Sequence, residues 1–143
     1  MVQSERLPSA VILVVEDDRL VQLELADWLV TLGLIVLTAD TADDALALLN
    51  ARSDIEVLLT DIQMPGAMNG IRLAHHVAEH WPAMRIFVMS GLYATELSVL
   101  PAGARFFPKP IDHEMLWRAL AWRHGAPDAP QAHLRTPTRS GCS

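Results

Sequence analysis

Cysteine is nearly absent from this chain of 143 residues, since Cys142, next to the C-terminus, is the only one. A single thiol excludes an internal disulfide and fits the reducing cytoplasm, where we expect the protein to act. The chain has no apolar run as long as a membrane span, and its start lacks the basic and apolar blocks of a secretory signal. We therefore expect no membrane association.

Positive charge is scarce as well, because 11 lysines and arginines stand against 17 aspartates and glutamates. The formal net charge of −6 argues against direct binding to DNA. Arg135 and Arg139 near the C-terminus are too few for a basic nucleic-acid-binding arm. Hydrophobic residues, by contrast, make up 51% of the chain, and its length suffices for one domain with a substantial core.

Short apolar runs alternate with amphipathic segments along most of the chain. The pattern predicts strands at 11–15, 34–39, 57–61, 85–90 and 104–107, and helices at 19–32, 41–51, 70–80 and 110–124. This alternation predicts an α/β fold, a doubly wound parallel sheet of five strands with helices on both faces. Residues 10–124 would form the domain, residues 1–9 a mobile lead-in, and the proline-containing residues 125–143 a disordered tail.

The stretch at residues 57–66 organises the rest of the chain. Four strand-like residues run into Asp61, and Met-Pro-Gly at residues 64–66 then ends any regular element. A buried parallel strand would deliver Asp61 to the carboxyl edge of the sheet, where open α/β folds bind ligands. A carboxylate there can act as an acid, a metal ligand or a nucleophile.

The same edge would collect the polar residues that follow the other strands. They are Glu16, Asp17 and Asp18 after the first strand, Ser90 at the end of the fourth, and Lys109 after the fifth. Clustered carboxylates need a positive charge, and Mg²⁺ is suited to carboxylates, water and phosphate oxygens. An ammonium and a hydroxyl can both contact a phosphoryl group. These residue types together predict a site that receives a phosphoryl group on a carboxylate.

Four motifs in this order and spacing, VILVVEDD, LLTDIQMPG, VMSG and FFPKP, resemble the receiver domain of bacterial two-component response regulators. The resemblance covers residues 10–124. It implies a flavodoxin-like sheet with strand order 2-1-3-4-5. It also implies that Asp61 accepts a phosphoryl group from a histidine kinase or a histidine phosphotransfer protein.

The resemblance further implies a Mg²⁺ site around Asp61. Asp17 would be a direct ligand, Glu16 would act through water, and Gln63 would contribute its backbone carbonyl. The acidic pair and the phosphoacceptor would thus share the ion.

A switch is implied on the other side of the phosphoacceptor. Ser90 and Lys109 would contact the phosphoryl group, and Phe106 would rotate inward. The Lys109–Pro110 peptide bond would be cis. A protein-interaction surface would change as a result, while the downstream partner and a homodimer are left open.

The chain also departs from the resemblance in two respects. The segment between Ser90 and Phe106 is short and contains Pro101, so helix four should be short or irregular. Many receivers continue into a DNA-binding or enzymatic domain, whereas residues 125–143 look like a tail. We therefore expect a stand-alone regulator and not an enzyme, apart from promoting its own phosphorylation and dephosphorylation. A phosphate sink within a phosphorelay is an alternative.

Three other functions are less well supported. A haloacid-dehalogenase-type phosphohydrolase needs a second carboxylate two residues after the nucleophile, where this chain has Gln63. A flavodoxin-like cofactor binder needs a phosphate-cradling loop after the first strand, where acidic residues would repel a phosphate. A degenerate receiver that binds partners without phosphorylation would normally have lost Asp61, the acidic pair or Lys109, and all are present.

Structural roles are favoured for several polar and aromatic residues. Asp18 is interpreted as a helix N-cap rather than a metal ligand. His76 and His80 lie one helical turn apart, and a solvated helix face is favoured over a metal site because no third ligand is evident. For Trp117, a partner anchor and partial burial both stay open.

Overall fold

The computed structural model describes residues 10–64, 68–91 and 99–122. These residues form five strands and four helices that alternate up to β4. In chain order they are β1 (Val11–Val15), α1 (Arg19–Thr31), β2 (Ile35–Ala39), α2 (Ala42–Ala51), β3 (Ile55–Asp61), α3 (Gly70–His80), β4 (Arg85–Ser90), β5 (Arg105–Pro108) and α4 (His113–Ala121). Most bounds agree with the sequence-based prediction to within two residues. The last helix was predicted too long, because it begins only after its cap, Asp112, and ends at Ala121.

The five strands form one parallel sheet in the order β2-β1-β3-β4-β5. The central strands β1, β3 and β4 are apolar and buried along nearly their whole length, as expected of strands covered on both faces. The predicted doubly wound fold and its strand order are confirmed.

The two faces of the sheet are covered by different helices. One hydrophobic cluster joins alternate residues of β1, namely Val11, Leu13 and Val15, to side chains of α2 and α3. The intervening Ile12 and Val14 point to the opposite face because successive strand side chains alternate. Leu25 and Leu29 of α1 are buried outside that cluster.

Side-chain caps determine where the helices begin. Asp18 accepts hydrogen bonds from the amides of Leu20 and Val21 at 3.0 and 3.3 Å, so its interpretation as the N-cap of α1 is confirmed. Thr41 caps α2 by accepting a hydrogen bond from the amide of Asp44 at 3.0 Å. These caps fix the first turns of α1 and α2 directly after β1 and β2.

The chain divides into two compact units, one ending at Lys109 and the other beginning at Pro110. The first contains the whole sheet with α1, α2 and α3. In the second, α4 begins at the cap Asp112, buries Leu116, Ala119 and Leu120, and leaves Trp117 half-buried. In the part of the chain that is described, no helix combines the length and the apolar composition of a membrane span.

Three predictions fall outside the described residues. The lead-in at residues 1–9 and the tail at residues 125–143 are two of them, and residues 92–98, where a short or irregular helix four was expected, are the third. They stay predictions.

Gly70 marks a very close approach between α3 and the end of β3. Its amide donates to the carbonyl of Ile62 at 2.9 Å. A Cβ at this position would overlap the carbonyl oxygen of Asp61 and lie 2.8 Å from its carbonyl carbon. The clash would be with backbone, which has little freedom to yield, so only glycine lets α3 start here without displacing Asp61.

We predict that Gly70→Ala lowers the free energy of unfolding by about 2–4 kcal/mol, because the added methyl group must displace the backbone of Asp61. Urea unfolding followed by circular dichroism measures this. Gly91→Ala is the matched control, since a Cβ there meets no atom of the described residues within 4 Å. Equal effects of the two substitutions would contradict the close-approach explanation.

Candidate functional site

The carboxyl edge of the sheet gathers the predicted site residues. Glu16 and Asp17 follow β1, Asp61 and Ser90 are the last residues of β3 and β4, and Lys109 follows β5. Glu16, Asp61 and Ser90 are buried, whereas Asp17 is exposed and Lys109 is half-buried. The sheet thus brings together residues that lie up to 93 positions apart in the chain.

Lys109 forms ion pairs with two buried carboxylates. Its Nζ lies 2.9 Å from Oε1 of Glu16 and 3.1 Å from Oδ2 of Asp61. The side chains of Glu16 and Asp61 are only 1% and 6% exposed, so water screens them little. One ammonium therefore pairs with two carboxylates. Unless a metal ion also binds, the site carries an excess of negative charge.

The pKa values of Glu16 and Lys109 are both raised, for different reasons. Burial raises the pKa of the Glu16 carboxyl, and the nearby charge of Asp61 raises it further; the hydrogen bonds from Asp18 and Lys109 offset this only in part. Burial lowers the pKa of Lys109, but the hydrogen bond to Glu16 and the charge of Asp61 outweigh burial and raise it. Lys109 is thus a permanent cation at neutral pH, while Glu16 holds its charge at a cost.

The carboxylates are arranged as a divalent cation would require. One ligand atom from each of Glu16, Asp17 and Asp61 lies within 4.8 Å of the others. Oδ1 of Asp61 is buried and accepts no hydrogen bond in the described structure. A buried carboxylate oxygen without a partner is costly, and a hard cation such as Mg²⁺ would supply the missing interaction. These residues fit such an ion.

Glu16 is held more firmly than the other two carboxylates. Its Oε2 accepts a hydrogen bond from the amide of Asp18 at 2.9 Å, while Oε1 faces Lys109. Both of its oxygens are therefore engaged by protein groups.

Gln22 supports this site from α1, and sequence reasoning missed it. Its buried Nε2 donates to the carbonyl of Glu16 at 2.9 Å and to Oδ1 of Asp40 at 2.8 Å. Gln22 is buried on the face of α1 that also buries Leu25 and Leu29, whereas the apolar Val21 beside it is only half-buried. The spacing of Gln22 with the two leucines was the available signal. A polar side chain gave no reason to expect burial, because the acceptors that allow its burial lie in the segments that end and follow β1 and β2.

Ser90 is paired with Gln63, for which the family resemblance implied only a backbone role in binding the metal ion. Its hydroxyl donates to Oε1 of Gln63 at 3.0 Å. The carbonyl of Ser90 accepts from the amide of Lys109 at 2.9 Å, which joins the ends of β4 and β5. No sequence signal indicates the side-chain contact, because it depends on how the loop after β3 turns towards β4.

The two aromatic residues of β5 differ in environment. Phe106 is half-buried and packs against the cluster shared by α2 and α3, whereas Phe107 is buried and stacks on Phe87 with ring centroids 5.5 Å apart. The switch role of Phe106 and the cis bond before Pro110 stay predictions.

The histidine pair on α3 is not part of the acidic cluster. His76 and His80 stack on each other with ring centroids 4.1 Å apart, and Nδ1 of His80 contacts the carbonyl of His76 at 2.9 Å. His80 is exposed and His76 half-buried. Neither belongs to the three-residue cluster found among the described residues.

Comparison with known families agrees with this geometry. A sequence model described as the response regulator receiver domain matches residues 12–121. The chain belongs to this family. Receiver domains act in two-component signalling, so the motif resemblance and the fold lead to the same assignment.

Individual relatives share this domain. The response regulator protein FleR of Pseudomonas aeruginosa is 30% identical over 125 residues, covering 85% of this chain and 26% of FleR. The chain spans only 28% and 26% of the lengths of two curated relatives that it matches, so their full activities are not transferable as such.

Two solved structures show the same fold. One is the complex of the histidine phosphotransfer protein Ypd1 with the receiver domain of Ssk1 from Saccharomyces cerevisiae; the match has a TM-score of 0.68 and 17% identity, and covers 80% of this chain and 88% of that one. The other is the response regulator TrrA of Thermotoga maritima in complex with Mg²⁺-BeF; this match has a TM-score of 0.66 and 21% identity, with coverages of 75% and 92%.

We predict that Asp61→Asn raises the free energy of unfolding by about 1–2 kcal/mol in metal-free buffer. The substitution removes one of the two buried carboxylates that share a single ammonium, so Glu16 loses a repelling neighbour while Lys109 keeps one carboxylate partner. Chemical denaturation in EDTA measures this. Asp27→Asn on an exposed side of α1 is the matched control and should leave stability unchanged. A loss of stability in Asp61→Asn would show instead that the ion pair of Asp61 with Lys109 outweighs the repulsion between Asp61 and Glu16.

Proposed function

We propose that this receiver domain accepts a phosphoryl group on Asp61 in a Mg²⁺-dependent reaction, from a histidine kinase or a histidine phosphotransfer protein. The observation that carries the proposal is the state of the Asp61 carboxylate. One of its oxygens is held by Lys109, and the other is buried beside two more carboxylates and has no hydrogen-bond partner among the described residues. The Ypd1–Ssk1 complex supports the donor class, since it joins a receiver domain of this fold to a phosphotransfer protein.

In this reaction a carboxylate oxygen of Asp61 attacks the phosphorus of the donor phosphohistidine. The P–N bond breaks with its electron pair moving to nitrogen, and the donor imidazole, protonated on its other ring nitrogen, leaves as neutral imidazole. Lys109 holds Asp61 through Oδ2 and places positive charge where the phosphoryl oxygens arrive. Ser90 offers a hydroxyl at the same edge of the sheet.

Mg²⁺ would neutralise phosphoryl and carboxylate charge during transfer. Asp61 and Asp17 would bind it directly, together with the backbone carbonyl of Gln63. Glu16 would act through water, which fits the engagement of both its oxygens by Asp18 and Lys109. The Mg²⁺-BeF complex of TrrA supports an ion in a domain of this fold.

Phosphorylation would then act as a switch in signalling. Ser90 and Lys109 would turn to the phosphoryl group, Phe106 would move inward, and a surface that contacts an unidentified downstream protein or a second copy would change. We place the protein in the cytoplasm, without direct DNA binding and without an enzymatic activity beyond its own phosphorylation and dephosphorylation. Binding of partners without phosphorylation, or service as a phosphate sink, are the alternatives.

Incubation with Mg²⁺ and acetyl phosphate should raise the intact mass by about 80 Da, the mass of one phosphoryl group. The gain should be absent in Asp61→Asn and in EDTA. Phosphorylation is excluded if wild type gains mass neither from acetyl phosphate nor from a phosphorylated histidine kinase across a Mg²⁺ titration. The domain would then be a phosphorylation-independent binding module.

Asp17→Asn should weaken Mg²⁺ binding by about tenfold or more, because it removes one negative ligand from an oxygen site. Isothermal titration calorimetry measures this. Asp18→Asn is the matched control, since asparagine caps a helix as well as aspartate does and Asp18 lies outside the cluster. Equal losses in both variants would mean that general acidity, not the placement of Asp17, determines binding.

A further inference from the structure

We propose that Gln63 is a positioning residue that holds the hydroxyl of Ser90 away from the phosphoryl site until Asp61 is phosphorylated. The inference rests on the proposed function and concerns the regulation of the same site. It starts from one contact, the 3.0 Å hydrogen bond that Ser90 Oγ donates to Oε1 of Gln63.

The backbone of Ser90 has little freedom to move. Its carbonyl accepts from the amide of Lys109 at 2.9 Å, and the preceding carbonyl, that of Met89, accepts from Ile62 at 3.0 Å. Ser90 is thus tied to the segments that follow both neighbouring strands, β3 and β5, and is itself fully buried. Any change in what its hydroxyl contacts must therefore come mainly from rotation of the side chain.

A serine hydroxyl has one hydrogen to donate. While that hydrogen points to Gln63, it cannot also point to a phosphoryl oxygen on Asp61. The two hydrogen bonds exclude each other, and Gln63 competes directly with the phosphoryl group for Ser90. The exposed Gln63 follows Asp61 by only two residues, so the competitor lies on the segment that carries the phosphoacceptor.

Two consequences follow from this competition. The Gln63 contact stabilises the unphosphorylated arrangement of Ser90, so phosphorylation must break it before the hydroxyl can be recruited. Removing the acceptor should therefore make phosphoryl-like ligands bind more tightly, by about the equilibrium value of one net hydrogen bond, which is about two- to tenfold.

The test is a double-mutant cycle on binding of beryllofluoride, a phosphoryl mimic, in the presence of Mg²⁺. Gln63→Met keeps the length of the side chain but removes the acceptor, and Ser90→Ala removes the donor. The dissociation constant of beryllofluoride, measured by calorimetry, should fall about two- to tenfold in Gln63→Met. In the Ser90→Ala background the same substitution should have no effect, because the contact is already absent.

The outcomes separate the two proposals. If wild type binds no beryllofluoride with Mg²⁺, the proposed function fails. If wild type binds it and Gln63→Met binds equally or more weakly, only the positioning role of Gln63 is overturned. An equal gain from Gln63→Met with and without Ser90 overturns it too, since Gln63 would then act on the phosphoryl group without involving the serine.

Discussion

The ammonium of Lys109 lies between two buried carboxylates, and the rest of the site depends on this contact. Glu16 and Asp61 come from different strands and repel each other in a pocket that water hardly reaches. One cation allows both to stay buried, but a single positive charge does not balance two negative ones. The remaining negative charge favours the binding of a divalent cation.

The fold supplies what this contact requires. A parallel sheet places the carboxyl ends of all its strands at the same edge. The hydrogen bond between the Lys109 amide and the Ser90 carbonyl continues the pairing of β4 and β5 beyond the end of β5. Gln22 fixes the backbone of Glu16 from α1, and the bare Cα of Gly70 lets α3 begin directly against Asp61. Neighbouring residues that take no part in the ion pairs therefore help to determine where the atoms of the site lie.

At the same edge of the sheet, we propose that the Ser90 hydroxyl donates either to Gln63 or to a phosphoryl oxygen, but not to both. The backbone of Ser90 is fixed by hydrogen bonds, so under the proposed role of Gln63 a rotation of the side chain is what changes the partner of the hydroxyl. A switch of this kind needs no large stored strain, because the free energy lost with one hydrogen bond is nearly regained when the other forms. Its set point would then depend on the acceptor that the unphosphorylated protein offers.

Much of this protein is determined by the local pattern of its sequence. Apolar runs, caps such as Asp18 and Thr41, and the residues that follow each strand predict the sheet, the helices and the acidic edge, because strand and helix periodicities are local properties. Only the tertiary structure decided which donor atom contacts which acceptor atom. The burial of Gln22, the close approach at Gly70 and the pairing of Gln63 with Ser90 all require distant segments at a fixed separation. No local pattern encodes that separation, since it arises from the packing of the whole sheet with its helices.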